Sequence, residues 1–148
     1  MDKSKVHFTY KSPEDAPGFL LYKVYTYWHR EIRRSLRPLG LTHAQFVFLA
    51  NAHWMEQRSD ELTQSDIARR TEMDVMMTSN VLRKLEKKGL LNRTPHSRDT
   101  RAKVISLTPR GREVLAQAVK VVEDFDHRFF AQLKAPEAFK KELMRLMR

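Results

Sequence analysis

Two stretches decide how this chain folds: Leu62-Thr63-Gln64-Ser65-Asp66-Ile67-Ala68, and the run DVMMTSNVLRKLEKKG from Asp74 to Gly89. Thr63 starts a short helix, with Asp66 near its positive end and Ile67 and Ala68 on its buried side. That helix gives way at Thr71-Glu72-Met73. Asp74 is a good N-cap for the next helix, and Gly89 is a natural residue just past its end. Two short helices joined by about four residues form a helix-turn-helix. The second can be split by its rotation of about 100° per residue. Thr78, Val81, Leu82 and Leu85 fall on one face and should pack inward; Met76, Ser79, Asn80, Arg83 and Lys87 fall on the opposite face. A hydroxyl, an amide, a soft apolar side chain and two cations suit a major groove. Asn pairs bidentately with adenine, Arg with guanine, and Met76 is placed to touch a thymine methyl.

Downstream, Leu90 to Thr94 and Lys103 to Leu107 are each short enough for a strand, and the second alternates. Between them Pro95-His96-Ser97-Arg98-Asp99-Thr100-Arg101 is polar and basic, which reads as a hairpin with a long tip. Thr108-Pro109 opens a fifth helix with Val114, Ala118, Val121, Val122, Phe125 and Phe129 on one face. Pro136 opens a sixth, carrying Phe139, Leu143, Leu146 and Met147. Upstream, Thr42 and Gln45 form a capping box before Phe46, Val47, Leu49, Ala50 and Trp54. A first helix runs from the Ser12-Pro13 region to Leu36 and stops at Arg37-Pro38-Leu39-Gly40. Residues 1 to about 15 read as an arm with Lys3, Lys5, Phe8 and Tyr10. The expected fold is mainly α with a small β-hairpin wing: a winged helix-turn-helix between N- and C-terminal helices. A single domain spans 1–148, with 42–108 as a DNA-binding lobe and 12–37 and 109–148 as dimerisation helices. The apolar stripe of the sixth helix and the Phe129/Phe130/Leu133 end exceed what a small monomer covers.

Composition supports a polyanion partner. The chain has 148 residues, 28 Lys and Arg, 18 Asp and Glu, and a net charge of +10. From Arg83 to Lys103, eight cations against two acids supply +6 of it. Zero cysteines exclude disulfides, a CxxC zinc site and a thiol nucleophile. No secretory leader or membrane-spanning run is apparent, so a cytoplasmic protein is the default. There is no GxSxG, P-loop or Rossmann fingerprint, and no enzyme is expected.

Four segments in this order and spacing resemble one family, the MarR-type transcriptional regulators: Leu62 to Ala68, Leu85 to Leu91 (LEKKGLL), Asp99 to Lys103 (DTRAK) and Leu107 to Gly111 (LTPRG). The resemblance implies a triangular homodimer with a recognition helix for the major groove and a wing for the minor groove. It also implies repression of nearby genes, relieved when a small, often aromatic, anion binds. Carried over by position, Asp99 is the acid that braces the wing, Arg101 the arginine at its tip, and Met76, Ser79 and Asn80 face bases. Candidate DNA contacts are Thr63, Gln64 and Ser65; Met76, Ser79, Asn80, Arg83, Lys84 and Lys87; and Arg98, Asp99 and Arg101. A lone acid in so basic a loop is expected to pair with a base-of-hairpin cation such as Arg93, freeing Arg101 for a narrow minor groove. His96 is expected to contact phosphate when protonated. Met73 to Met77 is more apolar than the family's usual opening of this helix.

Tyr22, Tyr25, Trp28, Phe46 and Trp54 cluster on the first two helices. They read either as core and dimer interface or as the wall of a pocket, with Tyr25, Trp28, His29 and Phe46 its candidates. Arg30, Arg33, Arg34 or His29 would anchor an aromatic or anionic effector. The six histidines show no HExxH, and no pair sits four apart on one helix, so no metal or other cofactor is expected. The alternative reading is a non-catalytic basic helical module, with Val81 to Leu91 binding a membrane surface or a protein partner.

Overall fold

In the computed structural model, residues 6–148 are described; Lys3 and Lys5 of the expected arm lie outside them. The elements are α1 (Pro17–Leu36), α2 (His43–Glu56), α3 (Gln64–Thr71), α4 (Val75–Lys87), β1 (Leu91–Pro95), β2 (Lys103–Leu107), α5 (Pro109–Phe130) and α6 (Pro136–Leu146). A short 3-10 turn, Pro13–Asp15, precedes α1, so the helix starts at Pro17, after the Ser12-Pro13 region.

Local chemistry sets most boundaries. Thr42 accepts from Gln45 N at 3.1 Å and Gln45 reaches back to Thr42 N at 3.2 Å. Thr63 and Asp66 make the same reciprocal cap on α3. Asp74 accepts from Met77 N at 2.7 Å, and Thr108 from Gly111 N at 2.9 Å. Gly89 adopts φ 72°, and α4 closes with Gly89 N donating to Glu86 O and Leu90 N to Leu85 O. That closure explains one difference from expectation: Leu90 is held to the helix, so β1 begins at Leu91. The strands pair antiparallel, from Leu91 with Leu107 to Pro95 with Lys103.

The outer edge of β2 is also paired. Ile105 N donates to Leu62 O at 2.7 Å, and Thr63 makes a single antiparallel bridge to Val104, so the segment before α3 covers the edge of the two-stranded sheet. A single core joins Ile32, Leu36, Phe48, Leu49, Leu62, Ile67, Leu82, Leu85, Leu91 and Ile105. It welds the helix-turn-helix and wing to α1, α2 and α5. The core reaches along α5 through Val122, with Phe125 packed against it. The end of α5 beyond Phe125 and all of α6 stand outside it; no residue of α6 is buried, and Leu146 and Met147 are 78% and 76% exposed.

Candidate nucleic-acid interface

The thirteen residues of α4 form a helix about 20 Å long. Thr78, Val81, Leu82 and Leu85 are buried, as the rotational split predicts. The Thr78 hydroxyl donates to Asp74 O at 2.8 Å, so this polar side chain enters the core satisfied. Met76, Asn80, Arg83, Lys84 and Lys87 are exposed and Ser79 is half-buried. Arg83 donates to Asn80 Oδ1, which couples the two side chains placed to read base edges. Among the described residues, Arg83, Lys84 and Lys87 make no ion pair, leaving their charge for phosphate. Val75 and Met76, 74% and 70% exposed, give the start of the helix an apolar tip.

A groove of about 520 Å³ lies between the start of α3 and the wing. It brings together Thr63, Gln64, Ser65, Asp99 and Arg101, residues up to 38 positions apart, with Arg69, Arg93 and Lys103. Ser65 is exposed and Gln64 half-buried, whereas the Thr63 hydroxyl is occupied in the cap, donating to Asp66 Oδ2 at 2.7 Å. Burial of Asp66 works to raise its pKa, but the Thr63 hydrogen bonds and the Arg69 guanidinium outweigh it and hold the carboxyl below its usual range.

The wing is braced differently from expectation. Arg93 pairs with Glu86 of α4 at 2.8 Å, not with Asp99, because the tight turn at Gly89 and Leu90 returns β1 alongside the end of α4. Asp99 instead accepts the Arg101 N–H at 2.9 Å, closing the tip on itself and leaving the Arg101 side chain exposed. His96 also departs from its expected phosphate role. Its ring is turned inward: Nδ1 accepts the N–H groups of Arg98 and Asp99, both at 3.1 Å, and Nε2 faces Glu61 at 3.3 Å. Glu61 accepts Ser97 N at 2.9 Å and its hydroxyl at 2.8 Å, tying the tip to the segment before α3. Those Ser97 bonds, with smaller help from His96 and Arg98, lower the Glu61 pKa.

A second cavity of about 370 Å³ sits between α1, α2 and the start of α4. Tyr25, His29 and Arg33 line it from α1, Thr42, His43 and Val47 from the start of α2, and Met73 and Met77 from the recognition side. Tyr25 stacks on His29 at 5.2 Å, and the His29 and His43 rings meet at 5.0 Å. Trp28 stands behind, its ring edge-on to His43 and its Nε1 donating to Asp126 at 2.7 Å. Burial and the neighbouring His29 lower the His43 pKa, with Asp126 opposing. Of the expected pocket residues, Tyr25 and His29 line the cavity, Trp28 supports its wall, and Phe46 packs against the core instead. Trp54 leaves the cluster altogether: it lies at the far end of α2, sandwiched between Arg58 and Arg70 at 3.8 and 3.9 Å. Tyr22 is 63% exposed. Arg30 is held over Tyr27, so Arg33 is the arginine at the cavity.

The family model described as MarR family matches residues 41–103, the lobe containing both helices and the wing. An HTH-type transcriptional regulator of Bacillus subtilis (strain 168), YdcH, is 35% identical over 142 residues, covering 96% of this chain and 97% of its own. The chain belongs to the MarR family. The HTH-type transcriptional repressor Rv2887 of Mycobacterium tuberculosis is 37% identical over 136 residues, covering 90% of this chain and 95% of its own. Among solved structures, the S. aureus MepR–DNA complex aligns with TM-score 0.81 at 26% identity, over 92% of this chain and 97% of that one. E. coli MarR complexed with operator DNA aligns with TM-score 0.76 at 25% identity, over 90% and 94%. This MarR-family chain is thus a DNA-binding transcriptional regulator with a winged helix-turn-helix.

The burial of α4 also disfavours its use on a membrane surface. Val81, Leu82 and Leu85, the stripe a membrane surface would need, are buried in the regulator's own core. No helix among the described residues is long and apolar enough to cross a membrane. Sequence reading missed Glu61 as the fastener of the wing tip, Lys103 at the groove, and His43, Met73 and Met77 at the cavity. The charge count around the wing already included Lys103; nothing local marks Glu61, whose partners lie 36 residues on.

Proposed function

We propose that this MarR-family regulator acts in the cytoplasm as a homodimeric repressor without catalytic activity. It reads a pseudo-palindromic operator with α4 and the wing, and a small aromatic or anionic effector releases it. The observation that carries the reading is the division of α4. Its apolar residues anchor the helix in the core, while Met76, Asn80, Arg83, Lys84 and Lys87 are exposed, and Arg101 lines the groove between α3 and the wing. Ser79, Gln64, Ser65 and Arg98 complete the proposed DNA surface, and Thr63 and Asp99 hold it in shape. Residues 42–108 serve as the DNA-binding lobe. Dimerisation is assigned to 12–37 and 109–148, where Leu20, Leu21, Tyr22, Val24, Leu146 and Met147 are exposed. The name of the Mycobacterium tuberculosis relative supports repression.

The effector site is the cavity at Tyr25, His29, Arg33 and His43, where an aromatic ring and a guanidinium line one space. Met73 and Met77 share that cavity and flank the N-cap of α4, so an occupant presses on the recognition helix. Coupling is reciprocal: DNA weakens the effector by the factor with which the effector weakens DNA. Selection of duplexes from a random pool tests the proposal. The expected product has two inverted half-sites about one helical turn apart. Recovery of unrelated sequences, bound no better than the starting pool, would overturn it.

A further inference from the structure

We propose that Glu56 and Arg112 form a clasp that fixes the angle between the DNA-binding lobe and α5, and so sets which half-site spacing the dimer accepts; this rests on the dimeric reading above. The clasp closes around the backbone of one residue. Leu107 is the last residue of β2, one position before the Thr108 cap of α5. Its N–H donates to Glu56 Oε2 at 3.2 Å and its carbonyl accepts from Arg112 at 2.5 Å. The other guanidinium nitrogen donates to Glu56 Oε1 at 2.7 Å. The last residue of α2, the end of the wing and the first turn of α5 are thereby joined in one ring. The Glu56 side chain is only 13% exposed, so its charge is held in a shielded position.

The junction carries two separate sets of hydrogen bonds. Thr108 N donates to Leu90 O at 3.1 Å and its hydroxyl to Gly89 O at 2.7 Å, which already attaches α5 to the end of α4. The clasp adds a second attachment on the opposite edge of β2. Two attachments on different sides resist tilting where one permits it. Because α4 ends at this junction, its reading end at Met76 lies roughly 20 Å away. A tilt of about 10° there moves the reading end by roughly 3.5 Å, close to one base-pair step. The angle held by Glu56 and Arg112 therefore matters at single-base-pair resolution.

The test uses the full chain and the duplex it selects from a random pool, alongside the same duplex with one base pair added or removed between the half-sites. Glu56→Gln, Arg112→Gln and the double variant are compared with the original chain. The original chain prefers its own spacing. Each variant lowers that preference ratio by about threefold or more, and the double variant lowers it no further, because the two side chains act as one device. Binding to a duplex with one half-site and the dimeric mass stay unchanged. Equal weakening on every spacing, with the ratio intact, would assign the clasp to stability alone and overturn the inference. No spacing preference in the original chain would overturn the two-half-site reading itself. Arg112 is half-exposed, so Arg112→Gln decides the matter even where Glu56→Gln fails to fold.

Discussion

Replacing Gly111 by alanine tests how tightly the wing lobe is set against α5. A Cβ built at Gly111 meets Leu90 O at 2.0 Å and Leu90 C at 3.0 Å. The obstacle is backbone, and the Leu90 carbonyl is itself engaged by Thr108 N at 3.1 Å, so it cannot swing aside without losing that bond. The start of α5 must instead back away, which also stretches the Thr108–Gly111 cap. Overpacking of this kind costs about 1–3 kcal/mol, and a disturbed cap adds up to about 1 kcal/mol. Against this, alanine gains at most about 1 kcal/mol over glycine in helix propensity. The net loss is about 1–3 kcal/mol, or roughly 2–12 °C in melting midpoint for a chain of this size. Circular dichroism at one fixed concentration reads it, since a dimer's midpoint shifts with concentration. Gly18 in α1, with nothing within 4 Å of its built Cβ, is the control, and Gly18→Ala should leave the midpoint level or raise it. A Gly111→Ala protein melting with or above the original would refute the close approach.

Asn80→Ala should cost about 1–3 kcal/mol on the selected duplex and little on random DNA, measured by fluorescence anisotropy; equal losses on both would remove Asn80 from base reading. Arg101→Ala should make the salt slope shallower by about one unit per wing, and an unchanged slope would deny it a phosphate-equivalent contact. Asp99→Ala should weaken DNA binding despite removing a negative charge, because its carboxylate holds the Arg101 N–H; tighter binding would mean that simple electrostatics governs the tip. The His43 imidazole is held below its ordinary value of 6.5, so as pH falls the unfolded chain takes up that proton first. Stability therefore declines as pH drops through 6.5 toward the folded value, and His43→Gln should flatten that part of a urea-unfolding pH series; a decline of undiminished steepness would contradict the assignment.

What the sequence made legible was local. The caps at Thr42, Asp74 and Thr108 each join residues three apart and form as read, while Thr63, read as the start of its helix, is the cap that precedes it. The inward face of α4 follows from helical rotation alone, which is why Thr78 was placed inside despite its hydroxyl. Long-range side-chain pairing was not legible. Arg93 had two acids within the basic segment, and the turn at Gly89 decided for Glu86 over Asp99. The bridge from Thr63 to Val104, the Glu61 fastener and the Glu56–Arg112 ring all connect residues more than 30 positions apart, with no periodic signal to announce them. Phe46 and Trp54 share a helix with His43, yet rotation and a rise of about 1.5 Å per residue carry them away from the cavity that Met73 and Met77 help close.

Hydroxyl-radical footprinting on the selected duplex tests the central claim most directly, because it reads where α4 and the wing meet the backbone. The account predicts two protected patches related by two-fold symmetry, about one helical turn apart, each flanked by minor-groove protection that disappears with Arg101→Ala. One patch alone, or uniform protection along the duplex, would contradict it.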